Sequence, residues 1–303
     1  MIAAKWLCSP GDPQWLELRR TGVTATDITV IAGLVSWDSP WALYHRKRGD
    51  LPEQEQSGRM RLGLWLEDAI AAHWQQEKTG RGRLLPGGLY RSQKRPWQLA
   101  TPDRLVTLYD DHERLSGTLE IKTTASLAGW GADGTGDVPD RVRAQKLWQM
   151  DTLGVPAGHV AVVCTSSGEF RSYTVHWHEQ DIKNLRKAGH EFHRRMTGEL
   201  PPPDVDDLTV TTDALKAVYP SAKPRAVQIS DDLADGYDMA CRMLADAKAI
   251  RTHAVNDVRA AMGDADTATL GERVVFRRVL TKVGGYTVAP YERDTLKRVT
   301  SDD

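Results

Sequence analysis

Cysteine is scarce in this chain: Cys8, Cys164 and Cys241 are the only three among 303 residues. They form neither a CxxC pair nor an even-numbered disulfide framework, and an iron–sulfur cluster, which takes four ligands, would lack one. Small inert thiols and no Fe–S cofactor are the expectation. Long apolar runs are also missing. No stretch approaches the roughly 18 to 20 residues of a membrane span, and the opening MIAAKWLCSPGD lacks the apolar core of a signal peptide, so a cytosolic chain with no membrane partner is expected. Excess positive charge is absent as well: 40 Lys and Arg against 41 Asp and Glu give a formal net charge of -1. That excludes a globally basic nucleic-acid binder, so any DNA contact must come from local patches. The nine histidines contain no HxxxH pair.

What is present is an ordinary globular composition, 40% hydrophobic and 27% charged, which argues against global disorder. TATD at 24–27 reads as a helix start before the apolar pattern Ile28, Ile31, Ala32 and Leu34, and DSPWALYHRKRGD as a second, capped by Ser39 with Pro40 in the first turn. GRMRLGLWLEDAIAAHWQQEKTG predicts one long amphipathic helix, with Leu62, Trp65, Leu66, Ala69, Ile70 and His73 on the apolar stripe and Gly80 and Gly82 at its end. LLPGGLYRS, PWQLATPDRLVTLYD and GTLEIKTT follow as strand candidates. DRVRAQKLWQMDTLG reads as a helix stopped by Gly154, GHVAVVCTS and FRSYTVHW as a hairpin around SSGE, and 179–196 as a further helix. This order predicts an α/β fold, a mixed central sheet flanked by helices, over residues 1–200.

The three prolines at 201–203 mark the clearest boundary. They cannot continue the preceding helix, and 201–229 reads as a Pro-rich, polar linker. Residues 230–303 then form a smaller C-terminal extension, a long Ala-rich helix from Ser230 to Met262 followed by strands and a turn. Between 277 and 298 six Lys/Arg stand against two acids, an excess that a solvated strand face explains as well as DNA contact does.

The chemistry concentrates in ATPDRLVTLYDDHERLSGTLEIKTT, 100–124. Side chains two apart on a strand point the same way, so Glu120 and Lys122 share a face while Leu119 and Ile121 take the other. Asp103, at the end of the preceding strand, can lie opposite them. Carboxylates that hold divalent ions, with a lysine near an attacking water, are what phosphodiester hydrolysis requires. A lone ExK has almost no specificity, and an exposed surface pair satisfies it equally. Pro102 before the aspartate, the short strand-turn-strand interval and Glu67 on the upstream helix add weight.

Six pieces in order resemble the PD-(D/E)xK nuclease superfamily, and within it the YqaJ-like viral recombinase branch to which phage lambda exonuclease belongs: LRRTGVTATDI at 18–28, SPWALYHRKRG at 39–49, GLWLEDAI at 63–70, LATPD at 99–103, LEIKTT at 119–124 and VPDRVRAQKLWQMDTLG at 138–154. The resemblance spans about residues 12–198. It implies a restriction-endonuclease-like core and a Mg²⁺-dependent 5′-to-3′ exonuclease on linear double-stranded DNA, with Mn²⁺ as a substitute ion, leaving 3′ overhangs for phage-type recombination. It also implies a ring-like homo-oligomer, a trimer being one size, a single-strand annealing protein as partner, and a phage or prophage protein acting in a bacterial cytoplasm. By the same resemblance Asp103, Glu120, the Ile121 carbonyl and Glu67 are the metal ligands, Lys122 orients the attacking water, Gln145 positions the site, and Arg19 and Thr26 bind a DNA 5′-phosphate.

Each residue also has a structural role open to it. Arg19 fits a solvated cation, Thr26 an N-cap, Gln145 helix packing and Glu67 a helix-surface glutamate; Trp148 and Met150 read as core, and His73 as core or a local hydrogen-bonding residue. The chain departs from the family pattern at Arg104, where Gly usually follows TPD, and at Leu147, where a second glutamine is common. Two other functions remain open on sequence grounds: a structure-selective endonuclease on the same site, and a non-catalytic DNA-end-binding module.

Overall fold

The computed structural model describes residues 3–77, 83–107, 115–221 and 223–281. The expected helix stop at Gly80 and Gly82, the basic tail from Lys282 onward and its strands lie outside them. Contacts divide the chain into two units, Met1–Ala222 and Lys223–Asp303.

In the first unit β1 (Ala4–Cys8), α1 (Trp15–Arg20), α2 (Asp27–Ile31), α3 (Pro40–Arg48) and α4 (Gly58–Glu77) precede β2 (Arg83–Pro86), β3 (Leu89–Ser92), β4 (Leu99–Ala100), β5 (Arg104–Thr107) and β6 (Leu115–Thr124). Then come α5 (Asp140–Leu153), β7 (Ala157–Cys164), β8 (Phe170–His176), α6 (Glu179–Met196) and α7 (Thr209–Val218). The main sheet has the order β2-β5-β6-β7-β8, all antiparallel except the β6–β7 pair; β1, β3 and β4 form a small second sheet. This is the mixed α/β core with flanking helices that the order of elements predicts.

The alternation of β6 decides the layers. Leu119 and Ile121, with Val106 and Ala161, pack against Ile70, Ala71 and Trp74 of α4. On the opposite face Leu105, Val160 and Val162 pack against Val142, Leu147 and Met150 of α5. Both faces of the central strands are therefore covered, and Glu120 lies on the α5 side, only 3% exposed. Burying a side chain the size of Trp74 or Ile70 contributes about 1.5–3 kcal/mol, so this two-sided cover is what holds β6 at the centre. Trp148 is core as expected; its Nε1 donates to the Leu99 carbonyl at 2.9 Å. A Cβ at Gly189 of α6 would sit 2.3 Å from the Trp148 ring, so glycine there sets the approach of α6 to α5.

The helix starts and stops follow local chemistry. Ser39 accepts from the Ala42 N–H, Pro40 occupies the first turn of α3, and Gly49 closes it at φ 84. At α2 the cap is Thr24 rather than Thr26: the Thr24 N–H donates to Asp27 and the Asp27 N–H to Thr24 Oγ1, a reciprocal capping pair. On α4 the apolar stripe is narrower than the periodicity suggests. Ile70, Ala71 and Trp74 are buried, whereas Trp65 is 76% exposed and His73 stands at the surface, edge-on to Phe170 and beside Glu77. The buried side chains of α4 all lie in its C-terminal half, Leu66 is only partly buried against the same cluster, and Trp65 turns to solvent.

The polar segment after the prolines is not irregular throughout. Val210, Ala214, Leu215 and Val218 of α7 pack on Trp41, Ala42 and Leu51, and Thr211 Oγ1 donates to Ser39 Oγ at 2.7 Å. Helical spacing of four apolar residues outweighs the polar average there.

In the second unit, α8 (Asp231–Met262) starts at Ser230, which accepts from the Leu233 N–H, and a hairpin of β9 (Thr267–Leu270) and β10 (Arg273–Arg277) follows. None of the α8 side chains is buried. Among the described residues no helix is long and apolar enough to cross a membrane.

Candidate active site

Strand β5 begins at Arg104, opposite Leu119, while β6 runs on to Thr124. Beyond the last backbone pair, the Ile121 N–H is taken by the Asp103 carboxylate at 2.7 Å. Pro102 has no N–H to extend the ladder, and the turn before β3 presses in: the Gly87 N–H donates to the Asp103 carbonyl at 3.1 Å, and a Cβ at Gly87 would meet the Pro102 carbonyl at 1.8 Å. Asp103 is thus fixed at both backbone and side chain, next to Glu120.

The Glu120 carboxylate is enclosed by donors. Oε1 accepts from Lys122 Nζ at 2.6 Å and from Gln145 Nε2 at 2.5 Å, and Oε2 accepts from Gln149 Nε2 at 2.7 Å. Gln145 and Gln149 are one helical turn apart on α5, so one face delivers both amides. Behind them Lys146 is fully buried; its ammonium donates to Thr118 Oγ1 at 2.7 Å and to Gln149 Oε1 at 2.8 Å. Occupying the amide oxygen of Gln149 turns its NH₂ toward Glu120, which settles the amide orientation. Leu147 is core.

Burial pushes the Glu120 carboxyl up, but Lys122, Lys146 and the Gln149 hydrogen bond outweigh it and hold the group below the usual glutamate range. Asp103 has the opposite fate: burial and the adjacent Glu120 charge push it up to about 8, against the pull of Lys122 and the Ile121 N–H. Burial also brings Lys146 down to about 8 despite the nearby carboxylates.

Glu67, Asp103, Glu120, Ile121 and Lys122 line one open cleft of about 950 Å³. Glu67 reaches it from α4, where the Arg104 guanidinium donates to its Oε1 at 2.5 Å. Among the described residues no group of three or more His, Cys, Asp and Glu is gathered as a ready metal cage. The reason is visible in the partners: Glu67 is engaged by Arg104, and Glu120 by Lys122 and two amides. The donor chemistry nevertheless suits a hard divalent cation. Two adjacent carboxylates, Glu120 buried and Asp103 half-buried and raised to about 8, lack positive charge that such an ion would supply, and their oxygen ligands match Mg²⁺.

Sequence reasoning missed several cleft residues. Arg141 lies over the Trp37 ring at 5.7 Å and lines the cleft with Arg59. As one cation in the run DRVRAQK, Arg141 carries no signal of its own. The Gln145–Gln149 spacing of four was readable, and Lys146 was hidden because a lysine in a helix normally reads as solvated.

Arg19 and Thr26 are not among the residues lining the cleft. Arg19 NH1 donates to Thr101 Oγ1 at 3.3 Å, two residues from Asp103, and its guanidinium stacks on Trp15. Thr26 is exposed and its side chain caps nothing. Beneath them Lys47 ties the loop together, donating to the carbonyls of Arg19 at 2.7 Å and Gly22 at 2.9 Å and pairing with Asp27 at 2.5 Å.

Residues 14–156 match the YqaJ-like viral recombinase domain. That interval carries every residue of the cleft described above. The chain is also similar to the uncharacterized protein YqaJ of Bacillus subtilis (strain 168), at 28% identity over 144 residues, 46% of this chain and 42% of that protein. The match thus spans less than half the length of that relative. Among solved structures, an alkaline exonuclease from Laribacter hongkongensis superposes with a TM-score of 0.47 at 18% identity, covering 61% of this chain and 93% of that one. Its complex with dAMP gives 0.49 at 17% identity over the same shares, and a phage related exonuclease from Haemophilus somnus 129PT gives 0.42 at 9%, covering 61% and 98%.

Proposed function

We propose that this chain is a divalent-metal-dependent deoxyribonuclease that degrades one strand of linear duplex DNA from its 5′ end, leaving 3′ overhangs for recombination by strand annealing. The observation that carries the reading is the joining of Asp103, Glu120 and Lys122 at the point where β5 begins beside β6, inside a YqaJ-like domain. Asp103, Glu120 and the Ile121 carbonyl would hold the ion, with Glu67 as a further ligand. When bound, the ion supplies positive charge to the phosphate and acidifies the attacking water.

The chain's own residues do the rest. Lys122, 2.6 Å from Glu120, orients the water and shields it from the carboxylate charge. Gln145 and Gln149 keep the Glu120 oxygens aimed without adding charge. Arg59 and Arg141 attract the DNA backbone to the cleft. Arg19, with the exposed Thr26 hydroxyl, receives the terminal 5′-phosphate, a forked cation and a donor suited to a dianion. A ring-like homo-oligomer around the duplex would let modest local basicity suffice, in keeping with the net charge of -1. The setting would be a phage or prophage protein in a bacterial cytoplasm, handing its overhang to a single-strand annealing protein.

The test is digestion of linear and covalently closed circular duplex side by side, with Mg²⁺ or with chelator. Loss of the linear form alone, and only with Mg²⁺, is expected. Equal loss of both forms, or cleavage in chelator, rejects the exonuclease reading.

A further inference from the structure

Arg104 stands at the boundary between strand and cleft. Its backbone pairs in regular antiparallel register with Leu119 on one side and Pro86 on the other, so no strained turn is involved. Its side chain bridges two elements. NH1 donates to Glu67 Oε1 at 2.5 Å and to the Asp103 carbonyl at 2.6 Å, while NH2 pairs with Asp68. A fixed cation thereby occupies one of the carboxylates that faces the cleft, directly beside the backbone of another.

The three contacts are unequal. Asp68 is 97% exposed, so its pairing is screened by water; Glu67 is 25% exposed and Arg104 17%, so theirs is the stronger one. The Asp103 carbonyl and Asp68 also hold the guanidinium where it is when Glu67 turns away. Glu67 can therefore exchange partners without Arg104 losing its own.

We propose that Arg104 is a positioning residue that competes with the divalent ion for Glu67, so that the guanidinium weakens ion binding and Glu67 changes partner as the ion enters. The inference rests on the metal-dependent nuclease reading above. It gives Arg104 a purpose that neither turn geometry nor core packing supplies. A competing charge-assisted hydrogen bond of this kind shifts binding on the order of tenfold.

The experiment is calorimetric titration of the full chain with Ca²⁺ alone, without DNA, for the wild type, Arg104→Gln, Arg104→Lys, Glu67→Gln, Asp103→Asn and the Glu67→Gln/Arg104→Gln double variant. Circular dichroism checks that each is folded. Arg104→Gln should bind Ca²⁺ about tenfold more tightly than wild type, Arg104→Lys by a smaller factor, and the gain should vanish in the Glu67→Gln background. A general loosening of the fold would not produce that dependence on Glu67. Unchanged or weaker binding by Arg104→Gln, or a gain that persists without Glu67, overturns the competition while the nuclease reading stands, provided wild-type binding is lost in Asp103→Asn and Mg²⁺-dependent digestion is seen. Absence of both binding and digestion in the wild type overturns the two together.

Discussion

Two carboxylate centres meet α5 and are built in opposite ways: Asp151 lies on the helix itself, and Glu120 of β6 is held by its Gln145 and Gln149. Asp151 is surrounded by matching charge: Arg95 NH2 donates at 2.8 Å, Arg186 donates through Nε at 2.8 Å and NH2 at 2.5 Å, and Gln98 Nε2 adds a donor at 2.9 Å. Two guanidiniums serve one carboxylate, and every oxygen is spoken for. At the cleft, Glu120 accepts a hydrogen bond from one ammonium, that of Lys122, and two neutral amides, while Asp103 accepts from a backbone N–H. The nearby Lys146 spends its hydrogen bonds on Thr118 and Gln149. A saturated carboxylate holds structure together, whereas a pair short of positive charge keeps room for an ion and a phosphate.

That contrast can be broken by substitution. The largest effect belongs to the cleft: Lys122→Ala or Glu120→Gln should slow Mg²⁺-dependent digestion by about a thousandfold, equivalent to roughly 4 kcal/mol of barrier. The melting temperature should change little. Asp151→Asn should do the reverse. It strips the countercharge from two guanidiniums and should cost about 3–5 kcal/mol of stability by denaturant unfolding, while activity per folded molecule is largely kept. A Lys122→Ala variant that unfolds, or an Asp151→Asn variant that stays stable and inactive, would erase the distinction.

Smaller changes sharpen it. Gln149→Ala removes one neutral donor from Glu120 and frees Lys146 from its amide, so an approximately tenfold loss of rate is expected with about 1 kcal/mol of stability. The smallest effect concerns Asp27, another buried carboxylate with its countercharge in place. Burial pushes it up, but Lys47 and Arg19 hold it below the usual aspartate range. Its stabilising contribution is therefore complete above the unfolded value near pH 4 and is lost as pH falls through the lower folded value. Acid titration of stability should show a step in the wild type below about pH 4 that Asp27→Asn lacks.

The parts of this account that could be read from the sequence are those governed by short-range periodicity. Glu120 and Lys122 share a face because strands alternate, α6 and α8 run where their patterns place them, and Ser39, Gly49 and Gly154 mark ends by capping chemistry. What stayed hidden depends on which elements meet. Nothing local says that Arg104 will reach Glu67 on α4, or that Lys146 will point inward and turn Gln149 toward Glu120. Trp65 looked like core because its spacing is right, yet the buried side chains of α4 are Ile70, Ala71 and Trp74, and Trp65 faces solvent. The helix Thr209–Val218 escaped notice because four apolar residues were diluted in a polar, proline-led segment. The motif order that pointed to a nuclease is itself a one-dimensional signal, and it lies within the interval that matches the YqaJ-like domain.

The most direct measurement is a Mg²⁺ time course on linear duplex labelled on one strand at either end, with and without a 5′-phosphate, for wild type and Lys122→Ala. The wild type should release the 5′-label early and the 3′-label late, faster with the 5′-phosphate, and Lys122→Ala should bind the ends and release neither. Equal early release from both ends, or undiminished release by Lys122→Ala, would contradict the assignment of this cleft as a 5′-to-3′ exonuclease site.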